Sequence, residues 1–126
     1  MKKKLLIFGG LTLVLLIAGF IGITNGLSDG AKVTLHGIDL ANIADGDYTG
    51  IYEFKRWSNT VSVQVKDHAI TEIEIVKDVF ASQITNCSGE VFRRVIEAQN
   101  TTVDAVSGAT VTSKAYLKAI ENALNP

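Results

Sequence analysis

The chain reads as an α+β protein: a small antiparallel β-meander packed with two or three helices, preceded by one N-terminal transmembrane helix. Three observations predict this. Residues 61–75 hold two runs in which Val or Ile alternates with polar residues, the period of a half-buried strand. Residues 91–98 and 113–124 carry apolar stripes at helical spacing. Residues 5–24 contain no charged side chain.

Lys2, Lys3 and Lys4 precede that uncharged run. As a helix, 20 residues span about 30 Å, the thickness of a bilayer's hydrocarbon core. The lysines belong on the cytoplasmic side, which places everything after Thr24 outside. A cleaved signal peptide is the alternative; against it, the run is long and no Ala-x-Ala site follows. Residues 1–24 are thus a basic cluster and anchor (or signal peptide). Residues 25–43, broken by Gly26, Ser28, Gly30 and Gly37, read as a tether with a loop histidine at His36. Residues 44–126 form the domain.

A chain of 126 residues has room for one small domain. Beyond the three lysines it carries 9 basic and 13 acidic side chains. That balance argues against nucleic acid, which needs a basic face. Cys87 is the single cysteine, so no disulfide forms within the chain. His36 and His68 lie too far apart in sequence to suggest a metal cluster, and no metal or catalytic set is expected.

Within the domain, Asp45-Gly46-Asp47 is a turn signal and Tyr48 to Trp57 reads as a strand. After a turn at Ser58-Asn59, Val61, Val63 and Val65 alternate with Ser62, Gln64 and Lys66. Asp67-His68 is a two-residue connection that favours positive φ, which explains a histidine there. Ile70, Ile73 and Ile75 supply the third strand, with Glu72 and Glu74 on its wet face rather than forming an acid–base pair. Residues 77–86 show no clear pattern. Val91, Phe92, Val95 and Ile96 mark a short helix with Ser88 as its expected cap. A second helix, expected to start near Thr112 or Ser113 and to be capped by one of them, runs to Leu124.

The loop before that helix, Ser107-Gly108-Ala109-Thr110, sits where the helix dipole is positive. Gly108 and the slim Ala109 let a ligand approach the backbone, and a phosphate is the usual ligand at such a place. A hydroxyl-rich helix start that binds nothing is the alternative.

The longer stretch Asp104-Ala105-Val106-Ser107-Gly108-Ala109-Thr110, continued by Val111-Thr112-Ser113, resembles the flavinylation motif of the FMN-binding domain family. Asp45-Gly46-Asp47-Tyr48-Thr49-Gly50 is similar to that family's opening Asp-Gly-x-Tyr-x-Gly, and residues 61–73 are similar to its central hairpin. Asp67-His68 departs from the usual Asp-Gly. The resemblance implies FMN joined to Thr110 by a phosphodiester bond, donated from FAD by a Mg²⁺-dependent flavin transferase. It implies Asp104 as the acid the transferase recognises. Ser107, Gly108 and Ala109 would lie next to the phosphate, with Thr112 and Ser113 following. Tyr116, the nearest aromatic in sequence, is the expected neighbour of the flavin ring.

The expected function is that of a membrane-anchored, extracytoplasmic electron carrier partnered by the transferase and by a membrane redox complex. The alternatives are a flavin-bearing component of a multi-subunit reductase and a non-redox exported binding domain.

Overall fold

The computed structural model describes residues 2–24, 30–78 and 87–125. Helix α1 (Lys2–Thr24) buries none of the side chains from Lys2 to Ile21. With a mean hydropathy of 2.3 over its apolar window, it has the length and composition of a membrane anchor or of a signal sequence.

Strands β1 (Gly46–Tyr52), β2 (Asn59–Lys66) and β3 (Ala69–Asp78) form the antiparallel meander in that order. Val61, Val63 and Val65 are fully buried, as their alternation predicts. The third strand is less regular than its isoleucines implied. Ile70 and Ile73 are three residues apart, yet both are buried, which an uninterrupted strand does not allow. The register explains this: Gln64 pairs with Glu72 and Val65 with Ile70, so Thr71 is an extra residue on β3. A second shift lies between Thr60 and Val61. The β2–β3 turn behaves as expected, with Asp67 and His68 at φ 53° and 59°. His68 Nδ1 lies 3.2 and 3.0 Å from the carbonyls of Leu40 and Ile43. Both are acceptors, so the proton sits on Nδ1.

Two expected boundaries move. β1 ends at Tyr52 rather than continuing to Trp57; Lys55 takes φ 52° and Lys55–Trp57 close a short 3₁₀ turn. The turn folds the Phe54 ring against that of Trp57, centroids 5.9 Å apart, and both pack with Val111 and Ala115. The cap position of helix α2 (Ser88–Ala98) is Cys87 rather than Ser88; the Cys87 side chain makes no capping bond, and the Val91 N–H reaches its carbonyl at 3.0 Å. Val91 and Val95 fill the core while Gln99, at φ 54°, ends the helix. The Gln99 amide then accepts from the Ile70 N–H at 2.7 Å and donates to the Ile70 carbonyl at 3.0 Å.

Helix α3 (Thr110–Leu124) lies across the sheet, burying Ala115, Tyr116, Leu117, Ala119, Ile120, Ala123 and Leu124. Its first turns meet Tyr52, Phe54 and Trp57, and its later turns meet Gly50. Residues 30–43, part of the expected tether, run the length of this helix. Gly30 presses on Val111, the His36–Gly37 backbone meets Glu121, and Ile43 is buried beside the hairpin end of the sheet.

Glu121 holds that segment. Its carboxylate accepts from the His36 and Gly37 N–H groups at 3.0 and 3.2 Å, from Thr101 Oγ1 at 3.0 Å and from Lys118 Nζ at 3.1 Å. Burial pushes the Glu121 carboxyl up, but these hydrogen bonds and the Lys118 charge together hold it below the ordinary range. Glu121→Gln removes the charge and sets an amide donor against backbone donors, a loss of about 1–3 kcal/mol. A carboxyl lowered in the folded state stabilises fully above its unfolded pKa, and that stability disappears as pH falls through the lowered value. Melts of both chains at neutral and acidic pH will therefore converge on the acid side; a constant gap would refute this role.

Candidate functional site

Eleven residues, 99–109, connect α2 to α3, and three contacts shape the connection. Arg94, on α2, donates from Nη1 to the Asp104 carbonyl at 2.9 Å and from Nε to Glu90 at 2.9 Å. Hydrogen bonds from Arg93 and then Arg94 hold the Glu90 carboxyl down to about 2, so Glu90 stays a carboxylate that holds both arginines throughout the neutral range. Further along, the Val106 N–H donates to Ser113 Oγ at 3.0 Å. The Ala109 N–H closes a turn on the Val106 carbonyl at 3.0 Å, with Gly108 third in the turn at φ 80°. That is the position where a type II turn requires positive φ, which only glycine adopts without strain. Nothing lies within 4 Å of where a Gly108 Cβ would point, so the backbone there is open to a ligand.

α3 begins at Thr110, two to three residues earlier than Thr112 or Ser113. Neither of those residues is its cap. Ala109 stands at the cap position and supplies no side-chain bond to the first turn. The early N–H groups of a helix have no partner within it, so this turn offers donors and a positive dipole to an anion.

The sequence-predicted site residues divide into two sets. Asp104, Ser107, Gly108 and Thr110 are exposed together on the loop and the first helical residue, with Ala109 half-buried among them. Thr112 and Ser113 are buried; Ser113 supports the loop from beneath through Val106. Tyr116 lies in the core at 1% exposure, its ring edge-on to Phe92 and its hydroxyl donating to Asp78. Burial, then the Asp78 hydrogen bond and charge, push its phenol far up, so it is a neutral structural donor. Glu72 and Glu74 are exposed, as a wet strand face predicts. Glu72 is raised chiefly by its hydrogen bond with Glu74 and by that neighbour's charge.

Arg94 went unread in the sequence. No periodicity links it to Asp104, ten positions on, because the contact depends on how the connection folds back along α2. Two further buried acceptors emerge only in three dimensions. Asn59 Oδ1 and Asp78 Oδ1, paired residues at the Trp57 end of the sheet, have no hydrogen-bond partner among the described residues.

An α+β domain with an uncapped helix start and an exposed hydroxyl behind a glycine turn offers the backbone donors that a phosphate-bearing ligand uses. The chain belongs to the FMN-binding domain family, whose model matches residues 57–125. The match covers β2, β3, α2, the connecting loop and α3; β1 with its Asp-Gly-Asp-Tyr-Thr-Gly precedes it. A search of curated proteins returns no match.

Proposed function

We propose that the protein is an extracytoplasmic, membrane-anchored electron carrier whose FMN is bonded to Thr110 through a phosphodiester. The observation that carries this reading is the exposed Thr110 hydroxyl at the first position of an uncapped helix, in a chain of the FMN-binding family. The Ser107–Ala109 backbone and the first-turn N–H groups of α3 would hold the phosphate. When bound, flavin supplies one- or two-electron transfer, and the protein sets its access and potential. The Asn59 and Asp78 acceptors suit N–H or O–H donors such as a flavin bears.

A threonine hydroxyl is a poor nucleophile unaided, so the activating base and the Mg²⁺ are assigned to the transferase. This chain's part is to present Thr110 and Asp104 in a fixed, accessible loop. α1 then keeps the carrier beside a membrane redox complex. Co-expression with a flavin transferase will give a chain heavier by one FMN less water and fluorescent in a denaturing gel. An unmodified chain beside an active transferase refutes the covalent reading. Protease added to intact cells will degrade the domain; a protected domain refutes its export.

Arg94 shapes how Asp104 is shown to the transferase. Arg94→Ala will slow flavinylation roughly tenfold, the scale of one lost charge-assisted hydrogen bond. The fall will appear as a raised KM for the chain with kcat little changed. Arg94→Lys will recover part of it. Unchanged kinetics in Arg94→Ala would show that Asp104 needs no such support.

A further inference from the structure

We propose that the end of the domain carrying Thr110 rests on the membrane surface, held there by basic side chains that meet anionic lipid headgroups. The proposal depends on α1 remaining uncleaved as an anchor.

The chain itself limits how far this end can move from the bilayer. Thr24 closes α1, and six residue steps lead to Gly30. Even fully extended, such a segment reaches only about 20 Å. Gly30 is then pressed against the first turn of α3, so closely that a Cβ there would lie 2.4 Å from Val111 Cγ1. Ala31 joins Phe54, Trp57 and Val111 in one cluster, and its carbonyl accepts from Lys114 Nζ. The chain therefore enters the domain beside Thr110, not at the opposite end.

Charge is sorted along the same axis. At the entry end stand Lys32, Lys55, Arg56, Lys77 and Lys114, with Glu53 and Asp104 the exposed acids near them among the described residues. Lys77 pairs with Thr60, next to the Asn59–Asp78 rung that ends the sheet. Arg56 stacks over Trp57 at 4.4 Å and Lys55 lies 5.6 Å from the Phe54 ring, so the basic groups lie over the aromatic cluster beneath them. The other end holds Asp45, Asp47, Asp67, Glu72 and Glu74, with Lys66 the exception. The domain is acidic overall, yet its cations gather where it meets the anchor. An anionic bilayer attracts such a patch within a Debye length and repels the acidic end. The flavin site would then face lipid and the membrane-embedded parts of a redox partner.

Trp57 is the single tryptophan and lies buried directly beneath Arg56, so it reports the contact without any reference to flavin. The full chain is reconstituted into phosphatidylcholine vesicles with or without phosphatidylglycerol, each carrying a nitroxide on the lipid headgroup. Trp57 emission is compared with the same vesicles lacking nitroxide. Quenching will be about twofold stronger in the anionic vesicles, and high salt will abolish the difference. Lys55→Glu/Arg56→Glu will remove it, as will Lys32→Glu/Lys77→Glu, which leaves the Trp57 stack intact. Equal quenching in both vesicle types overturns the proposal and leaves the basic end to a protein partner. A chain that fails to sediment with either vesicle removes the anchor, and the proposal with it. Loss of covalent flavin alone leaves the Trp57 result standing, so failure of the flavin reading is distinguishable.

Discussion

Thr110→Ala gives a folded chain that carries no covalent flavin. Thr110 is exposed at the first position of α3, caps nothing, and lies outside the core. Alanine is a better helix former than threonine, so stability will stay within about 0.5 kcal/mol of the parent. The modification has no second route through this position, because the phosphodiester needs the Oγ1 atom. Mass spectrometry after co-expression with the transferase will show the unmodified mass for Thr110→Ala. Thr110→Ser, which keeps a hydroxyl in place, will regain the FMN increment. Covalent flavin on Thr110→Ala would move the attachment elsewhere, with Ser107 the nearest exposed hydroxyl on the loop.

Gly50→Ala will have the largest effect on the fold. Gly50 lies in β1 where α3 crosses, opposite Val61. A Cβ there would stand 1.9 Å from the Ala119 carbonyl and 2.6 Å from the Ala123 nitrogen. Both are backbone atoms of a packed helix, so no side-chain rotation relieves the clash, and α3 must lift from the sheet. Overpacking of this kind costs about 3 kcal/mol or more, which in a domain of this size lowers Tm by roughly 15 °C. Gly89→Ala is the control: nothing lies near its Cβ in the first turn of α2, and its Tm will hold or rise slightly. A Gly50→Ala chain that melts with the parent would show that α3 sits farther from the sheet.

Gly50 also illustrates what the sequence made legible. It was visible as the last position of a family-like Asp-Gly-x-Tyr-x-Gly stretch, but its work is helix packing, which a motif does not reveal. The alternating valines exposed the buried face of β2 because period two is a direct imprint of the pleat. The same rule misdescribed β3, where the extra Thr71 changes the phase partway along. Thr112 and Ser113 looked like caps because hydroxyls before an apolar stripe usually are. The helix starts earlier because Ser113 Oγ is engaged by Val106, a partner seven residues back that no local pattern predicts. Residues 33–43 have little periodicity because Glu121, Asn100 and Asn125 hold them through backbone groups, while Ile43 is buried and Leu35, Ile38 and Leu40 pack against the core without regular spacing. The Asp104–Thr110 stretch was legible as a loop before a helix start because its glycine and small hydroxyl residues are local turn signals, and Gly108 does take positive φ.

The pairing of Gln99 with Ile70 bears on how copies of this protein tolerate one another. A three-stranded sheet has two unprotected margins through which two copies could pair. On β3 the Gln99 amide occupies both backbone groups of Ile70 as a neighbouring strand would. The two register shifts then break the straight row of remaining groups, and Glu72, Glu74 and Lys77 add charge along it. On β1 the Asn122 amide takes the Ile51 carbonyl. Interrupted, charged and partly occupied margins resist the strand-to-strand zippering that begins aggregation, so copies of the domain can meet at high local concentration without pairing along their sheets.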